Sequence, residues 1–151
     1  MANEISRINK FITDEYNKNE LVNTISVVPT LQLDLNKENI YPLVNIDMTN
    51  TEIEEQVITV YFTMTILQQR DTRPVKTDSK LLLDDNYIDN INETNSIAQR
   101  FINVLLTQNN EELIEIDTLS NLKILKKWKG GKLDGVQFTI QLTIPNRGES
   151  C

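Results

Sequence analysis

Histidine is absent from this 151-residue sequence, and its single cysteine, Cys151, is the last residue. Without histidine the chain can hold no Ser-His-Asp or Cys-His nucleophilic set, no histidine general base and no histidine metal ligand. One terminal cysteine can form neither an internal disulfide nor a zinc cluster, which fits a reducing compartment. We therefore expect a protein that is not an enzyme.

Long apolar runs and chain-breaking residues are also scarce. No apolar stretch reaches the roughly 18 residues of a transmembrane helix, and the N-terminus lacks the basic and apolar regions of a signal peptide. Four glycines and four prolines exclude a linker-dominated chain. With 39% hydrophobic residues the chain can bury a core, and its length fits a single domain over residues 1–151. We expect it to be made and kept in a cytoplasm, with no membrane partner.

Motifs for phosphates and metal ions are missing as well. No Gly-x-Gly-x-x-Gly occurs, and the Gly-Gly-Lys sequence at 130–132 lacks the spacing of a phosphate-binding loop. Asp84, Asp85 and Asp89 lack the glycine-pivoted spacing of a calcium loop, so capping of the following helix is favoured over metal binding. A second acidic cluster is interpreted as a solvated turn in preference to a carboxylate site: Glu52, Glu54 and Glu55.

Two segments have helical periodicity. Residues 4–17 repeat apolar side chains at helical spacing, with Asn3 as an N-cap candidate and Glu4 in the first turn. Residues 88–108 show a second apolar stripe. We predict a helix over each.

Three segments alternate as strands do. They are residues 40–48, 56–68 and 136–144, and the second is longer than the usual five or six residues. Its apolar face is formed by Ile58, Val60, Phe62, Met64 and Ile66. Its other face is only half polar, as expected for a surface that a neighbouring element or subunit covers. The predicted interface on that face is Thr59, Tyr61, Thr63 and Thr65.

The remaining segments are shorter. Residues 20–28 fit a helix or a strand equally well, and an arm with alternating leucines follows Pro29. Short strands are expected at 113–116 and 122–125, and turns at the Gly-Gly of 130–131 and the Asp-Gly of 134–135. Residues 70–88 form a long loop, and its candidate partner contacts are Arg70, Arg73 and Lys76. The order of the predicted elements, helix, strands, helix and strands, predicts an α+β fold. We expect a mixed, mostly antiparallel sheet with two helices packed on it.

The net charge of −7 is unevenly distributed. Residues 123–132 contain five lysines and no acid, and these are candidate contacts to DNA or to an acidic partner: Lys123, Lys126, Lys127, Lys129 and Lys132. An acidic protein with one basic segment is a poor general nucleic-acid binder, so a solvated hairpin is favoured. Trp128, beside the lysines, is interpreted as a core or interface anchor, with stacking on a base as the alternative.

The order of these segments resembles the tail-terminator or tail-completion (head–tail joining) proteins of tailed bacteriophages, especially those of phages of Bacteroidetes-type hosts, including crAss-like phages. The pieces that carry the resemblance are residues 22–25, 33–46, 58–66, 90–94, 133–136 and 138–146, with a cysteine at the end. The chain departs from the family in having Gly135-Val136 where Gly-Trp is common, and in its long loop after the central strand.

The resemblance implies a structural virion protein without enzymatic activity or cofactor. It implies a homo-oligomeric ring, a hexamer or dodecamer, at the phage neck or tail top. Such a ring joins portal-side and tail components around the DNA channel, with non-specific proximity to double-stranded DNA. It also implies localisation in the virion after assembly in the bacterial host cytoplasm. The alternative is a protein-binding adaptor or minor tail protein that uses an exposed strand edge.

Overall fold

The computed structural model describes residues 4–30, 33, 40–70, 86–107, 113–128 and 132–146. Its elements run in the order α1 (Glu4–Asn17), β1 (Thr24–Ser26), β2 (Leu43–Ile53), β3 (Val57–Gln69), α2 (Tyr87–Leu106), β4 (Glu115–Leu119), β5 (Lys123–Lys127) and β6 (Leu133–Pro145). The predicted α+β class is confirmed, because both helices and the three long strands form where the periodicity indicates.

The strands form one six-stranded sheet in the order β1-β2-β3-β6-β4, with β5 also paired to β6. Only the β1–β2 pair is parallel, and every other pair is antiparallel. Because β3 covers one side of β6 along its whole length, β4 and β5 must share the other side. There β5 pairs with residues 135–137 and β4 with residues 140–143.

Both helices pack on the same face of this sheet, called here the helix-covered face. Their apolar stripes meet every second residue of β3 and β6 in one main core. The Tyr16 ring stacks on Phe101 with 4.5 Å between centroids, and the Tyr16 hydroxyl lies 3.0 Å from the sulfur of Met64. Burial raises the pKa of Tyr16 well above its ordinary value. The core therefore ties α1, α2 and the central strand together.

The structure resolves one ambiguity and corrects two expectations. The 20–28 segment contains strand β1, which is only three residues long. The turn predicted at Asp134-Gly135 is wrong, since both residues lie inside β6 and are buried. At Gly135 an added Cβ would lie 1.9 Å from the carbonyl oxygen of Ile66, so the glycine allows two strands to approach closely. Strand β2 also runs five residues beyond its expected end at Met48.

Several sequence expectations fall outside the described residues. These are the alternating leucines Leu31 and Leu35, most of the 70–88 loop, the acids Asp84 and Asp85, and the glycines of the expected 130–131 turn.

A charged side chain on the helix-covered face of β6 should unfold the domain. A charged side chain at the next position, on the opposite face of the same strand, should be tolerated. Phe138 is 2% exposed in the main core, and Thr139 is exposed on the opposite face. We expect Phe138→Asp to lose more than about 4 kcal/mol of stability, because an unpaired buried carboxylate is among the costliest substitutions. Thr139→Asp should unfold at nearly the wild-type temperature. Circular dichroism melts check both, and equal losses would contradict the assigned faces.

Candidate functional site

The face of the sheet opposite the helices is the open face. Its middle is built from β3 and β6, where four pairs stand directly opposite one another: Thr59–Thr143, Tyr61–Gln141, Thr63–Thr139 and Thr65–Gln137. The predicted alternation along β3 is therefore confirmed, with the Thr/Tyr set on this face and the apolar set in the main core. The open face is a polar lattice of hydroxyl and amide side chains.

The four predicted interface residues of β3 differ in exposure. Thr65 is fully buried, and its hydroxyl accepts a hydrogen bond of 3.0 Å from the Gln137 side-chain amide. Thr59 is 8% exposed. Tyr61 and Thr63 are half-buried. A partner that lay on this face would therefore contact Tyr61 and Thr63 far more than the other two.

The chain after β1 covers the β2 side of the open face. The Ser26 hydroxyl donates to the Asn45 side-chain oxygen at 2.7 Å, and the Asn45 amide donates to the Val28 carbonyl at 3.1 Å. The backbone N–H and hydroxyl of Thr30 both donate to one Asp47 carboxylate oxygen at 3.0 Å. These bonds satisfy polar groups that a sheet face would otherwise leave to water.

A small apolar cluster, the second cluster, lies on the open face where β2 and β6 begin and β3 ends. It contains Leu33, Leu43, Leu67, Leu125 and Leu133, with Val28, Tyr41 and Trp128 packed against it. Trp128 is thus half-buried and takes the core-anchoring role. The second cluster covers this end of the open face. The polar lattice is therefore uncovered only toward the other end, where β2 and β6 end and β3 begins.

That opposite end is acidic. Glu52, Thr59, Thr143 and Glu115 stand in one row across β2, β3, β6 and β4. We define the acidic end as five exposed residues: Glu52, Glu54, Glu55, Glu115 and Asp117. A hydrogen bond to the Glu52 carboxylate raises the pKa of Tyr61, and partial burial and the charges of Glu52, Asp117 and Glu54 raise it further. The expected solvated turn is therefore part of a larger negative surface.

The candidate lysines lie toward the other end of the sheet. Lys123, Lys126, Lys127 and Lys132 are exposed, and they form the lysine end. Lys129 lies outside the described residues. Lys123 pairs with Gln137 and Glu115 with Thr143, six positions apart on β6 and so separated by about 20 Å. The Lys126 ammonium lies 4.8 Å from the centroid of the Tyr87 ring, a cation–π distance.

Arg70 is not a surface loop residue. It is 5% exposed, and its Nε and Nη2 donate to the two Asp134 carboxylate oxygens at 3.0 and 2.6 Å. The same carboxylate accepts the Asn90 side-chain amide at 3.2 Å and the Lys127 backbone N–H at 3.1 Å. Arg70 therefore has little surface to offer a partner. The other two contact residues predicted in its loop, Arg73 and Lys76, lie outside the described residues.

The protonation of Asp134 follows from this network. Burial, the largest effect, would raise the pKa of Asp134, but donors from Arg70, the Lys127 amide and Asn90, with the charge of Arg70, together lower it. The ionised form is thus the one that the folded protein stabilises. Sequence reasoning missed this residue because Asp before Gly is a common turn signal.

Sequence reasoning also missed two exposed strand edges. Every residue from Met48 to Gln56 is exposed, although β2 continues to Ile53. Ile53 is 69% and Ile124 of β5 is 53% exposed. The available signals were Ile53 directly after the polar run of residues 49–52, and Ile124 among the lysines of β5.

Within the described ranges, no three side chains of the His, Cys, Asp and Glu types are grouped to hold a metal ion. Neither described helix is long and apolar enough to cross a lipid bilayer. Comparison with known proteins finds no matching family model and no matching curated protein.

Removal of the Asp134 carboxylate should be strongly destabilising. Asp134→Asn leaves the Arg70 guanidinium buried without its counter-ion, for which a loss of about 3–5 kcal/mol is typical. Asp117→Asn, an exposed acid, should change stability by less than about 0.5 kcal/mol. Urea unfolding at neutral pH measures both.

The lowered pKa of Asp134 makes the stability of the protein depend on pH with a definite sign. Because the folded-state pKa of Asp134 lies below the unfolded value of about 3.9, its contribution is complete above that value. It is lost as the pH falls through the folded-state pKa. Wild type should therefore lose stability more steeply below about pH 4 than Asp134→Asn, and parallel profiles would contradict the lowered pKa.

Proposed function

We propose that this chain is a structural protein of a tailed-phage virion, without catalytic activity, that forms a ring at the neck or tail top. The ring joins portal-side and tail components around the DNA channel. Such a protein needs contacts between copies and contacts to the components above and below.

The open face is the observation that carries the proposal. It is a large β surface on the side of the sheet away from the main core. The described residues cover it only along β2 and over the second cluster. The groups in its middle are hydroxyls, amides and one tyrosine ring, and carboxylates follow at its acidic end; such polar groups suit a partly wet interface better than a buried one. We propose that the open face contacts the neighbouring virion component.

The histidine-free composition supports a structural role over a catalytic one. The acidic balance supports proximity to DNA without tight binding, since each neutralised phosphate adds affinity. The order of the elements, which resembles that of phage tail-terminator proteins, supports the position in the virion.

The alternative is an adaptor that binds one other protein through a strand edge and forms no ring. The exposed edge of β2 favours this second candidate, because unpaired N–H and C=O groups can accept a strand from any partner. The two candidates differ in the state of the purified chain: an adaptor alone would be monomeric.

The ring proposal predicts a defined oligomer. Native mass spectrometry and light scattering of the purified wild-type chain, at concentrations up to several hundred micromolar, should show six or twelve copies. A species that stays monomeric over this range, with or without portal and tail components, would overturn the ring.

A charged substitution on the open face should block joining without unfolding the protein. Thr63 is half-buried there, and Thr63→Arg adds bulk and charge beside exposed polar neighbours. We expect an almost unchanged melting temperature but separate heads and tails, seen by negative-stain microscopy, when the variant replaces the wild-type chain in its phage. Gln99→Arg, on the exposed side of α2, should yield joined particles. Joined particles with Thr63→Arg would remove the open face from the interface.

A further inference from the structure

We infer that copies of this chain join by antiparallel pairing of the outer edge of β2 in one copy with the outer edge of β5 in the next. This inference rests on the proposed ring and assigns the contact between its copies.

Neither edge is fully paired to a strand among the described residues. Strand β1 pairs with β2 only at residues 43–45. From Ile46 to Ile53, no strand among the described residues pairs with the outer side of β2. Strand β5 is paired to β6 on one side and to no described strand on the other. An added strand would satisfy the hydrogen-bonding groups of both edges.

Charge selects β5 over β4 as the partner of β2. The β2 edge ends at Glu52, Glu54 and Glu55, whereas β5 carries three lysines and no acid. Strand β4, the other strand on that side of the sheet, carries Glu115 and Asp117. Pairing β2 with β4 would set acids against acids, and like charges across an interface are strongly unfavourable.

In one pairing register, apolar side chains of the two edges meet each other and acids meet lysines. Ile53 and Ile124 both point to the helix-covered side, since their in-register neighbours Ile58 and Val136 belong to the main core. If these two exposed isoleucines stand opposite each other, antiparallel pairing also sets Glu54 opposite Lys123. Glu52 then lies diagonal to Lys123 and Lys127, within reach of long side chains.

The pairing joins unlike edges from opposite sides of the sheet. Each copy therefore offers one β2 edge and one β5 edge, which gives a head-to-tail contact that closes into a ring when the rotation per copy allows it. Pairing of like edges is disfavoured, because β2 with β2 brings acids together and β5 with β5 brings lysines together. In this arrangement the lysine end contacts the next copy of the chain.

The first test reverses the charges of each edge. Lys123→Glu with Lys127→Glu, and separately Glu52→Lys with Glu54→Lys, should each raise the concentration for half-assembly by about tenfold or more. An equimolar mixture of the two variants should assemble as wild type does, because each reversed edge then meets an edge of opposite charge. Lys10→Glu on α1 with Lys18→Glu directly after it changes the net charge as the first pair does and should leave assembly nearly unchanged.

The second test identifies the strands. In a Cys151→Ser background, Ile53→Cys with Ile124→Cys should give a ladder of disulfide-linked multimers on mild oxidation. Ile53→Cys with Leu119→Cys, which places the second thiol on β4, should give far less.

The results separate the inference from the proposed function. A wild-type chain that never assembles overturns both. A wild-type oligomer that is insensitive to charge reversal, is not rescued by mixing, or cross-links equally through β4 overturns the edge pairing and leaves the ring standing.

Discussion

The buried carboxylate of Asp134 is the group on which the arrangement of this fold depends most. It receives the guanidinium of Arg70 from the end of β3, an amide from the first turn of α2, and a backbone N–H from the end of β5. Three separate segments are thus held at the start of β6 by one side chain. A hydrophobic contact could supply similar stability, but the directional bonds also fix where α2 begins and where β5 turns back.

The long elements were predictable because each carries its own repeating pattern. Strands β3 and β6 alternate over a dozen residues, and both helices show apolar stripes, so local sequence sufficed for the α+β class. The extension of β2 to Ile53 was not predictable from alternation, since its last residues are exposed on both faces and nothing selects for apolar side chains there. Strand β1 is too short to show a period.

The candidate site was less accessible to sequence reasoning than the fold. Arg70 and Asp134 are 64 residues apart, and each resembles an ordinary turn residue until the two strands are brought into register. The Thr/Tyr face of β3 was correctly separated from the core face. The residues of that face differ in exposure, since Thr65 is buried and Thr63 is half-buried. This difference depends on Gln137 of β6, which is distant from both in sequence. The separation of acidic and lysine ends depends likewise on strand register, which composition does not contain.

The division of one side of β6 between two short strands has a consequence for the behaviour of the free chain. Strands β4 and β5 are five residues each, and the segment between them, residues 120–122, interrupts the edge near Thr139. A growing fibril needs a long, flat and uniform edge on which identical segments stack. Here the edge is broken into an acidic half and a basic half, so a second molecule can match only part of it in a single register. The interruption should keep newly made chains from polymerising without limit before their partners are present.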